Sequence, residues 1–96
     1  MQDPSTPEEV ISLASQGNAK SQYELGLMYE LGMGIQKNLS QAFVWYQKSA
    51  DQGYAKAQYN LGIFYALAKG VNKDIKQSKH WIRKANKNGY SGGSVF

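Results

Sequence analysis

Apolar residues recur along this chain at offsets of three and four, the spacing that lines one face of an α-helix, and the pattern predicts five helices and no strand. Val10, Ile11, Leu13 and Ala14 give an apolar stripe to a short helix over about residues 7–16. Thr6-Pro7-Glu8-Glu9 starts it, with Thr6 as N-cap, Pro7 at the first helical position and Glu9 placed to close a capping box. Gly17 supplies the left-handed residue that stops it. Over residues 19–31, Ala19, Gln22, Tyr23, Leu25, Gly26, Met28 and Tyr29 predict a second helix with a broad buried face. Gly26 lies in its interior, where glycine costs about 1 kcal/mol against alanine. The expected reason for tolerating it is close approach by a neighbouring helix, under an aromatic side chain. Gly32 and Gly34 break this helix, Asn38-Leu39-Ser40-Gln41 restarts the chain with a capping-box pattern, and a third helix runs to about Gln52 before Gly53 ends it. Its apolar positions are Leu39, Ala42, Phe43, Trp45, Tyr46 and Ala50.

The same plan then returns without a gap. Gly17-Asn-Ala-Lys-Ser-Gln-Tyr-Glu-Leu-Gly26 becomes Gly53-Tyr-Ala-Lys-Ala-Gln-Tyr-Asn-Leu-Gly62, and the parallel continues through Tyr29/Tyr65, Gly34/Gly70, Trp45/Trp81 and Lys48/Lys84 to Gly53/Gly89, a period of 36 residues. The copy predicts helices over about 54–68 and 74–88, with Asp74 and Gln77 forming a third capping box. Gly32 is replaced by Ala68, so the fourth helix is expected to run slightly longer into its turn. Self-similarity at such a period marks a solenoid, whose units stack because none buries its apolar face alone. Thr6 falls at the register of position 42, which makes the first helix a clipped cap. After Gly89-Tyr90 the helix-forming Ala-Lys-Ala-Gln gives way to Ser91-Gly92-Gly93-Ser94, and two glycines in four residues cost about 2 kcal/mol of helix propensity. The chain therefore divides, within one domain over 1–96, into a capping helix at 7–16, repeats at 17–52 and 53–88, and a flexible tail at 89–96.

These residues resemble a known family. Ala-x-x-Gln-Tyr-x-Leu-Gly-x-x-Tyr, then Gly-x-Gly-Ile, then Ala42-x-x-Trp45-Tyr-x-Lys-Ser-Ala50-x-x-Gly53 are similar to the Sel-1-like repeat, a relative of the tetratricopeptide repeat, over positions 7 to 89. Ala68, Ser78 and Asn86 depart from its usual Gly, Ala and Ala, replacements that loosen packing without changing the plan. The resemblance implies an all-α fold, an α/α right-handed superhelical solenoid of about two and a half helix-turn-helix repeats (five helices). The first helix of each pair (A) would line the concave face and the second (B) the convex one. It also implies a non-enzymatic adaptor or scaffold for other proteins; in bacteria many small members accompany secretion systems, host interaction, signalling or toxin immunity.

Composition sets limits rather than a function. No apolar run approaches the roughly 18 residues that span a bilayer, the N-terminus lacks a basic stretch followed by an apolar one, and there is no cysteine for disulfide or thiolate metal chemistry. The chain reads as soluble and cytoplasmic, or periplasmic or secreted if a signal peptide has been removed. Its net charge of +4 is unevenly placed: residues 1–36 carry Asp3, Glu8, Glu9, Glu24 and Glu30 against Lys20 alone, whereas residues 69–88 carry seven cations against Asp74.

Tetratricopeptide positions carried over to this sequence put Lys20, Tyr23, Leu27, Glu30 and Leu31 of the first repeat on the groove, and Lys56, Tyr59, Ile63, Ala66 and Leu67 of the second. Tyrosine and lysine beside aliphatic side chains suit a protein or peptide partner, an extended segment or a single helix. The competing reading of Tyr23 and Tyr59 is packing between neighbouring A helices. Lys76, Lys79, Arg83 and Lys87 form a basic stripe on the last helix, either a patch for an acidic partner or a solvated outer face. Trp81, within this stretch, is expected to point inward, so aromatic interleaving for stacking is missing, which argues against nucleic acid. His80 stands without ligand companions or a nucleophile, and no catalytic set, metal site, phosphate loop or cofactor is implied. Three functions follow: a binding module with a groove of A helices, a self-associating structural unit whose acidic and basic ends meet in a homo-oligomer, and an immunity or inhibitor protein for a secreted toxin.

Overall fold

A computed structural model describes residues 6–90, in which five helices follow one another as α1 (Pro7–Ser15), α2 (Ala19–Leu31), α3 (Leu39–Asp51), α4 (Ala55–Leu67) and α5 (Ile75–Lys87), with no strand among the described residues. Local chemistry places their ends. Thr6 accepts from the Glu9 amide while the Glu9 carboxylate takes the Thr6 amide, so the box expected at α1 is complete. Asn18, Asn38 and Asp74 cap α2, α3 and α5 by accepting from the amides of Ser21, Gln41 and Gln77 at 2.8, 3.0 and 3.0 Å. The boxes expected at Asn38/Gln41 and Asp74/Gln77 are only half formed. The cap amides that Gln41 and Gln77 would reach are already donated backwards, from Asn38 to the Tyr29 carbonyl at 2.8 Å and from Asp74 to the Tyr65 carbonyl at 3.0 Å. Those two bonds pin the start of each B helix to the end of its A helix.

The expected lengthening of α4 does not occur. Ala68 takes the left-handed conformation of Gly32, at φ 55° against 70°, and both helices have 13 residues. The turn is held from both sides, by Lys69 donating to the Phe64 carbonyl and Asp74 to that of Tyr65, so the backbone keeps the first repeat's path and the alanine carries the strain. A left-handed L-residue costs about 1–2 kcal/mol. Ala68→Gly is accordingly expected to stabilise the fold by about 1 kcal/mol, somewhat less than the strain because glycine also loosens the unfolded chain; urea titration followed by circular dichroism reads it, and an unchanged or lower midpoint sinks the assignment of strain to Ala68.

Two clusters form the core: Val10, Ala14, Leu25 and Met28 between α1 and α2, and Ala42, Tyr46, Ala50, Ala57, Leu61, Phe64 and Trp81 across α3, α4 and α5. Only half of the α1 stripe enters it, since Val10 and Ala14 are buried while Ile11 and Leu13 are exposed. Tyr29, Trp45 and Tyr65 pack half-buried against these clusters. Gly26 behaves as expected: a Cβ there would stand 2.6 Å from the Tyr46 ring, so the missing side chain is the space the tyrosine fills. In the second repeat Ile82 takes the same place against Gly62. Buried glutamines link the layers. Gln22 donates to the Ala14 carbonyl and Gln58 to the Ala50 carbonyl, and each amide oxygen accepts from the next layer, from Gln52 and Asn88 at 2.9 Å. Of the three departures from the family pattern, Ser78 is buried with its hydroxyl unpartnered, at the register of Ala42, while Ala68 and Asn86 are exposed.

Candidate partner-binding groove

The A helices α2 and α4 stand side by side and leave an open cleft of about 500 Å³ between them, lined by Leu27, Glu30 and Leu31 from α2 and by Tyr59, Asn60, Ile63 and Phe64 from α4. Five of these seven were among the expected groove residues. Leu31 and Leu67, at equal positions in the two repeats, are 60% and 64% exposed. Lys20 and Lys56 are exposed, and Ala66 is half-buried outside the cleft wall.

The two groove tyrosines resolve differently. Tyr23 packs against the Tyr46 ring, with centroids 6.0 Å apart, and against Tyr54 at 5.3 Å, so it is an inter-repeat spacer. Burial, with Tyr54 second, raises its phenol above the usual value. Tyr59 does both jobs: its ring meets Tyr90 at 4.6 Å, the register equivalent of the Tyr23–Tyr54 pair, and it also lines the cleft. Tyr90 is thus half-buried and held, its amide donating to the Ala85 carbonyl, although it lies in the segment expected to be a flexible tail; the rest of that expectation, over 91–96, falls outside the described residues.

At Glu30 of the cleft wall begins a network that joins the repeats. The Tyr46 hydroxyl donates to Glu30 Oε1 at 2.7 Å, and Lys69 Nζ approaches Glu30 Oε2 at 2.6 Å while standing 4.9 Å from the centre of the Phe64 ring. Both oxygens of Glu30 are therefore engaged inside the protein. Burial first, then the bond to Glu30, pushes the Tyr46 phenol far above its ordinary value, with Asn60 acting weakly in the other direction. Burial also raises Tyr65, helped by Asp74 and Asp51. The unfolded chain releases these protons near pH 10 whereas the folded chain holds them more tightly, so the tyrosines' contribution to stability is flat below about pH 9 and falls above it, at roughly 1.4 kcal/mol per pH unit for a fully retained proton. Tyr46→Phe is expected to flatten that alkaline limb in urea titrations from pH 8 to 12; an equally steep limb in the variant would put the effect on other groups.

Asn60 and Phe64 line the cleft outside the set expected from the sequence, and Lys69 joins it only through Glu30. Asn60 and Phe64 follow Tyr59 and Ile63 on one helix face and were within reach of the periodicity. Lys69 was not, because it comes from the turn and its register partner is Met33.

The basic stripe of Lys76, Lys79, Arg83 and Lys87 lies exposed on α5, away from the cleft. Lys79 and Arg83 hold the register positions of Phe43 and Gln47, and Phe43 packs edge-on against Tyr65 of the following repeat at 5.4 Å. The face of α5 that corresponds to an inter-repeat surface is thus charged and solvated. Among the described residues no group of three or more His, Asp or Glu side chains is arranged to hold a metal, and no helix is long and apolar enough to cross a membrane.

Comparison with known proteins agrees with the fold. The pattern of the Sel1 repeat family matches residues 19–54 and again 55–90. A Sel1 repeat protein from Oxalobacter formigenes superposes with a TM-score of 0.83 at 40% identity, over 85% of this chain and 34% of that one. A protective antigen of uropathogenic Escherichia coli with an SLR fold gives 0.85 at 38% identity, over 91% of this chain and 19% of that one. Among curated sequences, a rat protein, DAP3-binding cell death enhancer 1, is 51% identical over 37 residues, which is 38% of this chain and 7% of the rat protein. The chain thus spans a minor part of the length of each.

Proposed function

The chain belongs to the Sel1 repeat family, whose members are generally protein–protein interaction modules and typically non-enzymatic scaffolds, and from that premise we propose that it captures a peptide or helix of a partner protein in the groove between α2 and α4. The observation that carries this reading is the open, largely apolar cleft whose wall includes Leu27, Leu31, Ile63 and Phe64. Large apolar side chains left in a concave surface, with Leu31 mostly exposed on its wall, are what a docking site requires and what a solvated face avoids. A groove two A helices wide accommodates one short segment at a time.

Selection of a random phage-displayed dodecapeptide library on the immobilised protein tests this directly. The expected outcome is a family of peptides whose synthetic copies lose at least about tenfold in affinity, some 1.4 kcal/mol, on Leu31→Asp combined with Ile63→Asp. The pair lies on the cleft wall, Leu31 exposed and Ile63 half-buried, and circular dichroism confirms that the variant keeps its fold. Peptides that bind wild type and variant alike locate the site elsewhere and overturn the proposal.

A further inference from the structure

Along the groove side of α4 the side chains change character within two helical turns. Lys56, Asn60 and Ile63 lie at i, i+4 and i+7, so they share one face over about 10 Å of helix. Ile63 is half-buried in the cleft with Leu27, Leu31 and Phe64; Asn60 brings a donor and an acceptor to the cleft wall; Lys56 is exposed and in no ion pair among the described residues. The matching row on α2 is Lys20, Glu24 and Leu27, with a carboxylate where α4 has a carboxamide. Glu24 sits four residues from Lys20, near enough to offset its charge, whereas nothing on α4 offsets Lys56. Glu30, the carboxylate of the cleft wall, already holds Tyr46 and Lys69.

Resting on the groove reading above, we propose that the occupant is an extended peptide with one apolar side chain and one carboxylate three residues apart. The apolar side chain enters the cleft against Ile63 and Phe64, the main-chain amide beside it meets the Asn60 carboxamide, and the carboxylate reaches Lys56. The spacing follows from geometry: about 10 Å corresponds to three residues of extended chain but to seven of helix.

The test is the same dodecapeptide selection carried out in parallel on wild type and on Lys56→Glu. Lys56 is exposed, so the substitution leaves the core untouched. Wild type is expected to enrich an apolar residue with Asp or Glu three positions away, and Lys56→Glu to enrich Lys or Arg there instead. Synthetic wild-type-selected peptides should bind Lys56→Glu about fivefold more weakly in 50 mM NaCl, a difference shrinking at high salt, and Lys20→Glu should change little. Identical peptides from both proteins, or the absence of any charge preference, overturn the carboxylate assignment while the groove survives if Leu31→Asp/Ile63→Asp still abolishes binding. Enrichment at a spacing of seven overturns the extended conformation. Peptides indifferent to Leu31→Asp/Ile63→Asp overturn the groove itself.

Discussion

Tyr46→Ala is expected to lower the stability of this domain by about 4 kcal/mol, which is the range for truncating a large buried aromatic side chain. Tyr46 is fully buried, and its ring fills the space left by Gly26, meets Phe64 edge-on at 5.2 Å and lies 6.0 Å from Tyr23. Alanine would leave that space empty, because Gly26 has no side chain to fall into it and the helices on either side are pinned by their own turns. The same change strips Glu30 of its hydroxyl partner at the cleft wall. A small domain has about 5–15 kcal/mol of total stability, so the loss takes it to the edge of folding at room temperature. Tyr46→Phe separates the two contributions: it keeps the ring and removes the hydrogen bond, for an expected loss of about 1 kcal/mol. Urea unfolding followed by circular dichroism measures both. A loss below about 2 kcal/mol for Tyr46→Ala would mean that α2 and α3 can close onto each other, and the account of Gly26 as a fitted space would fail.

The same residue shows which parts of the structure could be read from the sequence. Helix limits came within a residue or two because their causes are local: Thr6, Asn38 and Asp74 bond amides three residues on, and Gly17 and Gly53 take left-handed conformations at helix ends. The pairing of Gly26 with an aromatic ring was also legible, since a glycine inside an amphipathic helix needs a neighbour to justify it. Periodicity, however, reports only what is repeated. The Tyr46–Glu30–Lys69 network joins residues 16 and 39 positions apart, and its register counterparts are Ile82, Ala66 and Met33, so nothing in the alignment of the two units marks it. The left-handed Ala68 was missed for the opposite reason: local propensity favours continuing the helix, and the hydrogen bonds of the turn override it. On the groove, Leu27, Glu30, Leu31, Tyr59 and Ile63 of the expected residues line the cleft, but whether a tyrosine stacks or faces solvent depends on Tyr54 and Tyr90, one layer further along the chain.

Gly70→Ala is expected to be about as damaging as Tyr46→Ala, through the backbone rather than the core. Gly70 has φ +67°, a conformation that costs an L-residue about 1–2 kcal/mol. It also lies where the turn between α4 and α5 meets the start of α3: a Cβ would stand 2.6 Å from the Leu39 carbonyl carbon and 2.9 Å from the Ser40 nitrogen. These are main-chain atoms, with no rotamer to move into, so relief requires shifting α3 against the turn. Strain and displacement together should cost about 3–4 kcal/mol, at the upper end of single-residue effects. Two other glycines supply the control. Gly34, one period earlier, has φ +71° and faces the Pro7 ring at 2.9 Å, a single ring carbon that gives only by a change of pucker; Gly53 has φ +90° with nothing within 4 Å of the added carbon. The expected order of destabilisation by alanine is therefore Gly70, then Gly34, then Gly53, the last limited to the conformational cost of its positive φ. Equal losses at Gly70 and Gly53 would reduce Gly70 to a turn former. The expected order instead makes the glycine of each A-to-B turn the point where the preceding B helix seats, at Pro7 in one layer and Leu39 in the next, and so the contact that fixes how far each repeat is stepped from the last and how wide the groove between α2 and α4 stands.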